Sequence, residues 1–355
     1  MKFLLTVFPG LSEILAEELR QKLKLEPFAF GRVRGSELVF VQSTVPSGLL
    51  ELRVVEDVFV ELEAIKLSGK TSDLKTITTV LSRGETLGVA MGAHGLLTSR
   101  PVPVRAHFRV VVQAEDAGWR GYRRIDLQSA AEVGMARARP NWRLDPREAP
   151  IEIWLHQLDR NLHVSLRITS GLHRARGGRA QERQAALRPT IAAAMVLAAG
   201  TSEEDVILDP MCGSGTILLE RALAGRHGLL LGGDIDPVAV KAALANFGPR
   251  HKPVRIERMD ARKLPLEDSS VDKFVTNLPW GRQIGQPQEL PELYTGVLKE
   301  AVRVLRPGGK VVLLSSEWEL LKRVINQQPN LAIKRTVPNI EVLGRRADLI
   351  LLERT

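Results

Sequence analysis

The chain has 355 residues, of which 44% are hydrophobic and 26% charged, and it carries a net charge of +9. That balance excludes a disordered chain and points to an anionic partner; no window approaches the roughly 18 apolar residues of a membrane span. Cys212 is the single cysteine, which excludes intrachain disulfides and a cysteine-built zinc site, and the seven histidines lack metal-ligand spacing, so no metal is expected.

The opening MKFLLTVF has the look of a signal peptide, but its apolar run stops at Pro9-Gly10 and passes into LSEILAEELRQKL, an amphipathic helix carrying acids. The N-terminus is therefore read as structural and the protein as cytoplasmic. A strand is predicted over residues 3–7 and a helix from Ser12, with Ser12 as N-cap, Glu13 in the first turn and Leu11, Leu15, Leu19 and Leu23 on one face. Strands at 37–41 and 58–64 complete a small α+β unit. Further strands are predicted at 104–112, 151–155 and 162–168, and a helix at 126–139. The run GLHRARGGRAQERQ (171–184) has no periodicity and reads as a linker beside a domain boundary.

After an apolar helix at 190–199, short buried-type strands are predicted at 206–208, 229–233, 254–256, 273–276 and 310–314. Helices at 216–224, 237–246 and 294–305 alternate with them. That pattern is a doubly wound parallel α/β sheet, which a pair of strands at 332–337 and 349–352 closes.

The charge is unevenly placed. Residues 1–99 carry 11 basic against 12 acidic side chains, whereas residues 100–180 carry 15 against 8, and all 15 are arginine. A block of arginines suits bidentate contact with phosphate. Arg109, Arg120, Arg123, Arg124, Arg174 and Arg176 are the candidate contacts to the phosphates of such a partner, and binding is expected to fall steeply with salt.

The strongest local signal is VILDPMCGSGTILLE (206–220): a buried strand ends at Asp209, a glycine turn follows, and a helix starts near Thr216. Gly213 and Gly215 allow a ligand close to the backbone, and ligands of such sheets lie at the carboxyl ends of the strands. Asp234 in LGGDIDP ends the next strand 21 residues beyond Gly213, where a ribose-binding acid belongs. A dinucleotide is disfavoured because Leu218 stands where its fingerprint needs Gly or Ala, and because Asp209 offers a diphosphate nothing. S-adenosylmethionine fits better, with an α-amino group, a ribose, an adenine and no phosphate. Candidate cofactor residues are Asp209, Pro210, Met211, Cys212, Gly213, Ser214, Gly215, Thr216, Asp234, Ile235, Asp260, Ala261 and Asn277. Asp260 is cast as acceptor of the adenine amine, and Cys212 as a small loop residue with no nucleophilic role.

The fourth strand ends in TNLPWG (276–281), which decides the chemistry. The lone pair of a planar amine is delocalised into its ring. Two acceptors holding the amine hydrogens, the Asn277 side-chain oxygen and the Leu278 carbonyl, localise it toward a methyl donor. Pro279 fixes the turn, and Trp280 stacks on an extruded base. Catalysis is then mainly positioning.

DPMCGSGT, GGDIDP and TNLPWG, in that order, resemble class I amino-methyltransferases of the N6-adenine and N2-guanine type. The opening TVFPGLSEILAEELR and the junction SGLHRARG…QAALRPTIAAAMVLAAG are similar to those of THUMP-containing RNA methyltransferases. Nearly the whole chain is covered by the resemblance. It implies a ferredoxin-like domain at 1–62, a THUMP RNA-binding domain at 63–170, a linker at 171–186 and a Rossmann-like catalytic domain at 187–355. Within that group the chain looks like the tRNA guanine-N2 methyltransferases acting at position 6 of the acceptor stem, with the THUMP region gripping the acceptor end. Asn277 and Pro279 would grip the amine and Asp234 would hold the cofactor. Leu278 departs from the proline usual in N6-adenine enzymes and so favours guanine. The alternatives are a 23S rRNA guanine-N2 methyltransferase and an RNA-binding protein without catalytic activity. A monomer is the expected state.

Overall fold

Phe3, Leu4, Leu5 and Val7 are buried because β1 (Lys2–Val7) lies between two antiparallel partners, β3 (Ser36–Gln42) and β4 (Asp57–Lys66). The structure, a computed structural model, describes residues 1–44, 46–98, 104–114, 118–147, 149–169, 186–281, 286–342 and 344–355. The chain divides into two units, Met1–Arg174 and Ala175–Thr355, so the division falls within the expected linker.

In the first unit one sheet runs through eight strands, in the order β2-β3-β1-β4-β8-β7-β5-β6. The remaining strands are β2 (Ala29–Val33), β5 (His107–Gln113), β6 (Arg143–Leu144), β7 (Ile151–Leu158) and β8 (Asn161–Arg167). β4 pairs with β1 on one side and with β8 on the other, so the expected boundary between residues 62 and 63 lies inside a strand that carries the sheet onward. Helix α1 (Ser12–Leu23) turns Leu15 and Leu19 inward, as its periodicity demands. Ser12 is its first residue rather than its cap, and the Ser12 N–H is held by Glu37 Oε2 at 3.3 Å. Among the described residues three more helices follow: α2 (Ser72–Ser82), α3 (Glu85–Thr98) and α4 (Arg124–Ala138). α2 and α4 pack together, and Thr78 Oγ1 donates to the Ala130 carbonyl (3.0 Å). The strand expected from residue 104 starts later, at His107, because Val104 is 79% exposed.

The second unit holds a seven-stranded sheet in the order β11-β10-β9-β12-β13-β15-β14. Five strands are parallel: β9 (Val206–Asp209), β10 (Leu229–Asp234), β11 (Val254–Arg258), β12 (Val271–Asn277) and β13 (Leu305–Ser315). The antiparallel pair β14 (Leu331–Val342) and β15 (Arg345–Arg354) closes it, as expected from the sequence. Its helices are α5 (Pro189–Ala199), α6 (Thr216–Leu223), α7 (Pro237–Asn246), α8 (Leu290–Val304) and α9 (Trp318–Asn326). Val297, Leu298 and Ala301 of α8 and Leu321 of α9 join Leu208, Phe274 and Leu313 of the strands in one core. The chain leaves β9 toward β10 and β11, then crosses back to β12 on the other side of β9. The carboxyl ends of β9 and β12 therefore flank the place where the strand order reverses, and a crevice opens there.

Candidate active site

Everything expected to bind cofactor sits on four successive strand ends. β9 stops at Asp209, 1% exposed, and the next six residues form the turn into α6. Gly213 and Gly215 both have positive φ, +56° and +79°, and a Cβ at 215 would stand 2.8 Å from Phe247 Cε2. The turn is locked at both ends: Cys212 N–H donates to the Gly233 carbonyl (2.8 Å) and Gly215 N–H to the Cys212 carbonyl (2.7 Å). Asp234, at the end of β10, accepts from the Gly213 N–H through Oδ2 (2.9 Å) and from the Asp236 N–H through Oδ1 (3.0 Å). One carboxylate thus sets both the glycine turn and its own loop.

A cavity of about 900 Å³ lies over these strand ends. Asp209, Pro210, Met211, Cys212, Gly213, Ser214, Thr216, Asp234, Ile235, Asp260, Ala261 and Asn277 all line it, whereas Gly215 does not. Ile235 is 58% exposed, an apolar shelf beside the carboxylate of Asp234. Pro279 also lines the cavity, and Leu278 and Trp280 stand outside its lining. The Leu278 side chain is buried in the core (1% exposed), so only its backbone is available for chemistry.

Asn277 ends β12, and its Oδ1 is buried without a hydrogen-bond partner. A buried acceptor left unpaired costs free energy, which a ligand N–H would recover. Around it the backbone is fixed: Leu278 N–H donates to the Leu314 carbonyl (3.0 Å), and the Tyr294 hydroxyl donates to the Pro279 carbonyl (2.6 Å). Trp280 Nε1 is likewise buried and unpaired.

Asp209 accepts from Thr276 Oγ1 (2.8 Å) and from the Met211 N–H (3.2 Å), yet burial pushes its carboxyl up to about 7. In the unfolded chain the same group titrates near roughly 3.9. A raised carboxyl stabilises the folded state fully below that value, and the contribution is lost as pH rises through 7. Asp209→Asn stays neutral and keeps an oxygen for Thr276. It is therefore expected to melt progressively higher than the parent between pH 5 and pH 8, with the gap closing toward pH 4. A gap independent of pH in thermal melts would refute the buried acid.

Asp260 is engaged already. Arg262 Nη2 reaches Oδ2 at 2.8 Å and its backbone N–H reaches Oδ1 at 2.9 Å, and the guanidinium holds the carboxyl below the usual range. The Arg262 stem lies against Gly296 of α8, where a Cβ would meet its Cγ at 2.9 Å. Burial, together with Asp209 and Asp234, pushes the Cys212 thiol well up, which leaves it a poor nucleophile. Sequence reasoning missed Tyr294, Thr276, Arg262, Glu289, Glu292 and Leu293; the last four line the cavity, and no local pattern marks them.

The candidate arginines part ways. Arg109 donates to Glu152 (2.7 Å), and Arg120 is 9% exposed with its guanidinium over the Tyr122 ring. Arg120 serves the interior of the first unit, whereas Arg109 is half-buried in its ion pair. Arg123 and Arg124 stand exposed at the start of α4. Arg174 and Arg176 lie outside the described residues. A second cavity of about 690 Å³ is lined by Arg105, His107, Asn141 and Arg143, beside β5 and β6. Among the described residues no group of three or more His, Cys, Asp or Glu is placed to hold a metal ion. No described helix is long and apolar enough to cross a membrane.

The second unit thus combines a Rossmann-like sheet, a glycine turn after its first strand and an amide at the end of its fourth, an arrangement similar to that of class I methyltransferase domains. Residues 176–345 match the model of the UPF0020 family, described as an RMKL-like methyltransferase domain. It is 30% identical over 229 residues to a mouse (Mus musculus) protein, tRNA (guanine(6)-N(2))-methyltransferase THUMP3, covering 60% of this chain and 45% of that one. It is 38% identical over 144 residues to a tRNA (guanine(6)-N2)-methyltransferase of Thermus thermophilus, covering 39% and 42%. The chain thus spans less than half the length of these curated relatives. The crystal structure of TrmN from Thermus thermophilus shares the fold over 100% of this chain and 99% of that one, with a TM-score of 0.81 at 24% identity.

Proposed function

We propose that the chain transfers a methyl group from S-adenosylmethionine to the exocyclic N2 amine of a guanosine in tRNA, at position 6 of the acceptor stem. The observation that carries this reading is the buried, unpartnered Asn277 Oδ1 in the wall of the cavity that Asp234 also lines. The residues present suit the cofactor: Asp234 for ribose hydroxyls, the backbone at Gly213 for the amino-acid end, Ile235 as a face for adenine, and Asp209 toward the amino group. When bound, the cofactor supplies a sulfonium methyl group. Asn277 Oδ1 and the Leu278 carbonyl accept the two amine hydrogens and turn the nitrogen lone pair toward that methyl. The amine nitrogen would take up that methyl group and then lose one proton to solvent, since a methylated amine cation of this kind is a strong acid.

The first unit supplies the RNA grip in this reading, with a ferredoxin-like segment and a THUMP segment sharing its one sheet, in a cytoplasmic enzyme. Exposed Arg123 and Arg124 reach phosphate, whereas Arg109 and Arg120 maintain the fold. Removing both exposed arginines is expected to flatten the dependence of log affinity on log salt by about one to two units. Titration of tRNA at several salt concentrations tests this, and a parent with no salt dependence would remove the phosphate-contact reading. The function itself is tested by transfer from labelled S-adenosylmethionine to unmodified tRNA transcripts, followed by nucleoside analysis. N2-methylguanosine is the expected product; its absence while the cofactor still binds would overturn the assignment.

A further inference from the structure

We propose that Tyr294 is a positioning residue for methyl transfer: its hydroxyl fixes the turn after β12 so that the Leu278 carbonyl and Asn277 Oδ1 face one amine. The inference rests on the methyl-transfer reading above and names a residue that the cavity lining does not reveal.

Tyr294 lies on α8 and is completely buried. Its hydroxyl is 2.6 Å from the Pro279 carbonyl and 3.0 Å from Ser315 Oγ, at the end of β13. The directions of these bonds follow from the groups involved. A carbonyl only accepts, so the single phenolic proton goes to Pro279. Ser315 must then donate to the phenolic oxygen, and Ser315 Oγ in turn accepts the Glu317 N–H (3.0 Å). Three hydrogen bonds run one way, from Glu317 through Ser315 and Tyr294 to Pro279, and such a chain reinforces each member.

The consequence falls on the peptide between Leu278 and Pro279. The peptide before it is held by Leu278 N–H on the Leu314 carbonyl, and the peptide after it by the Pro279 carbonyl on Tyr294. The middle peptide has no N–H, because proline lacks one, so its only polar atom is the Leu278 carbonyl. Clamping both neighbours sets the direction of that carbonyl without occupying it. The apolar packing of α8 needs only a ring at 294; the hydroxyl is what reaches the turn.

The test uses the full chain with Tyr294→Phe and Ser315→Ala, which keep the ring and the strand end. Steady-state transfer to tRNA, calorimetric cofactor binding, thermal melts and crystal structures are compared with the parent. The expected result is a fall in kcat of about tenfold or more for Tyr294→Phe and a smaller one for Ser315→Ala. KM for RNA and cofactor affinity should stay within about twofold of the parent, and the 278–279 peptide should rotate in the crystal. An unchanged kcat overturns the inference, and so does a loss of activity that merely follows the melting temperature. A variant structure that overlays on the parent along 277–280 overturns it whatever the activity. A parent without transferase activity, with the turn displaced in the variant, would remove the methyl-transfer reading and leave the hydroxyl's hold on the turn standing.

Discussion

Asn277→Ala is expected to lower kcat by about two to three orders of magnitude while leaving cofactor affinity within about twofold. Removing one preorganised polar partner from a reacting centre costs about that much elsewhere. Here the missing partner is an acceptor, Oδ1, which is buried and unpaired and so free for a ligand hydrogen. Because Asn277 also lines the cofactor cavity, the two effects must be separated. Single-turnover transfer at saturating cofactor measures one, and calorimetry the other. A loss confined to cofactor affinity would move Asn277 from the chemistry to the cofactor. Asn277→Asp keeps an oxygen at the same place and is expected to fall between alanine and the parent.

The second large effect belongs to Asp234. Its carboxylate already receives the N–H groups of Gly213 and Asp236, so its remaining lone pairs point to the cavity from a fixed position. Hydrogen bonds to a charged group contribute about 1.5–3 kcal/mol each, and about 1.4 kcal/mol is tenfold in affinity. Asp234→Ala is therefore expected to weaken S-adenosylmethionine about a hundredfold, through two lost ribose contacts and a loosened glycine turn. Transfer at saturating cofactor should fall only a few-fold. Calorimetric titration decides it: an affinity equal to the parent's would remove Asp234 from the ribose.

What could be read from the sequence is what neighbours in the chain determine. The turn from Asp209 to Thr216, the acid at Asp234 and the amide at Asn277 are each set by a strand end and the residues directly after it, and all appear where the pattern put them. β14 and β15 were legible for the same reason, as two apolar alternations near each other. The helix α2 was not, because SDLKTITTVLS is rich in β-branched residues and becomes helical by burying Ile77 and Leu81. The strand β2, the helix α3 and the helix α9 also escaped the periodicity. Tyr294 lies 15 residues from Pro279, and the Arg262 stem beside Asp260 packs against Gly296 on the distant α8. Among the arginines, sequence could count charge but could not tell Arg120, which is buried, from Arg123, which is not.

The pairing of β4 with β8 has a consequence for the order of events during synthesis. Phe59 faces Arg167 and Lys66 faces Asn161 across that pair, about a hundred residues apart in the chain. At about 5–20 residues per second, β4 leaves the ribosome roughly 5–20 seconds before its partner exists. Through that interval β1, β3 and β4 can zip together, but one side of β4 stays open to any other extended chain. Glu61, Glu63 and Lys66 belong to that stretch of β4, where charged side chains discourage a second nascent chain from docking.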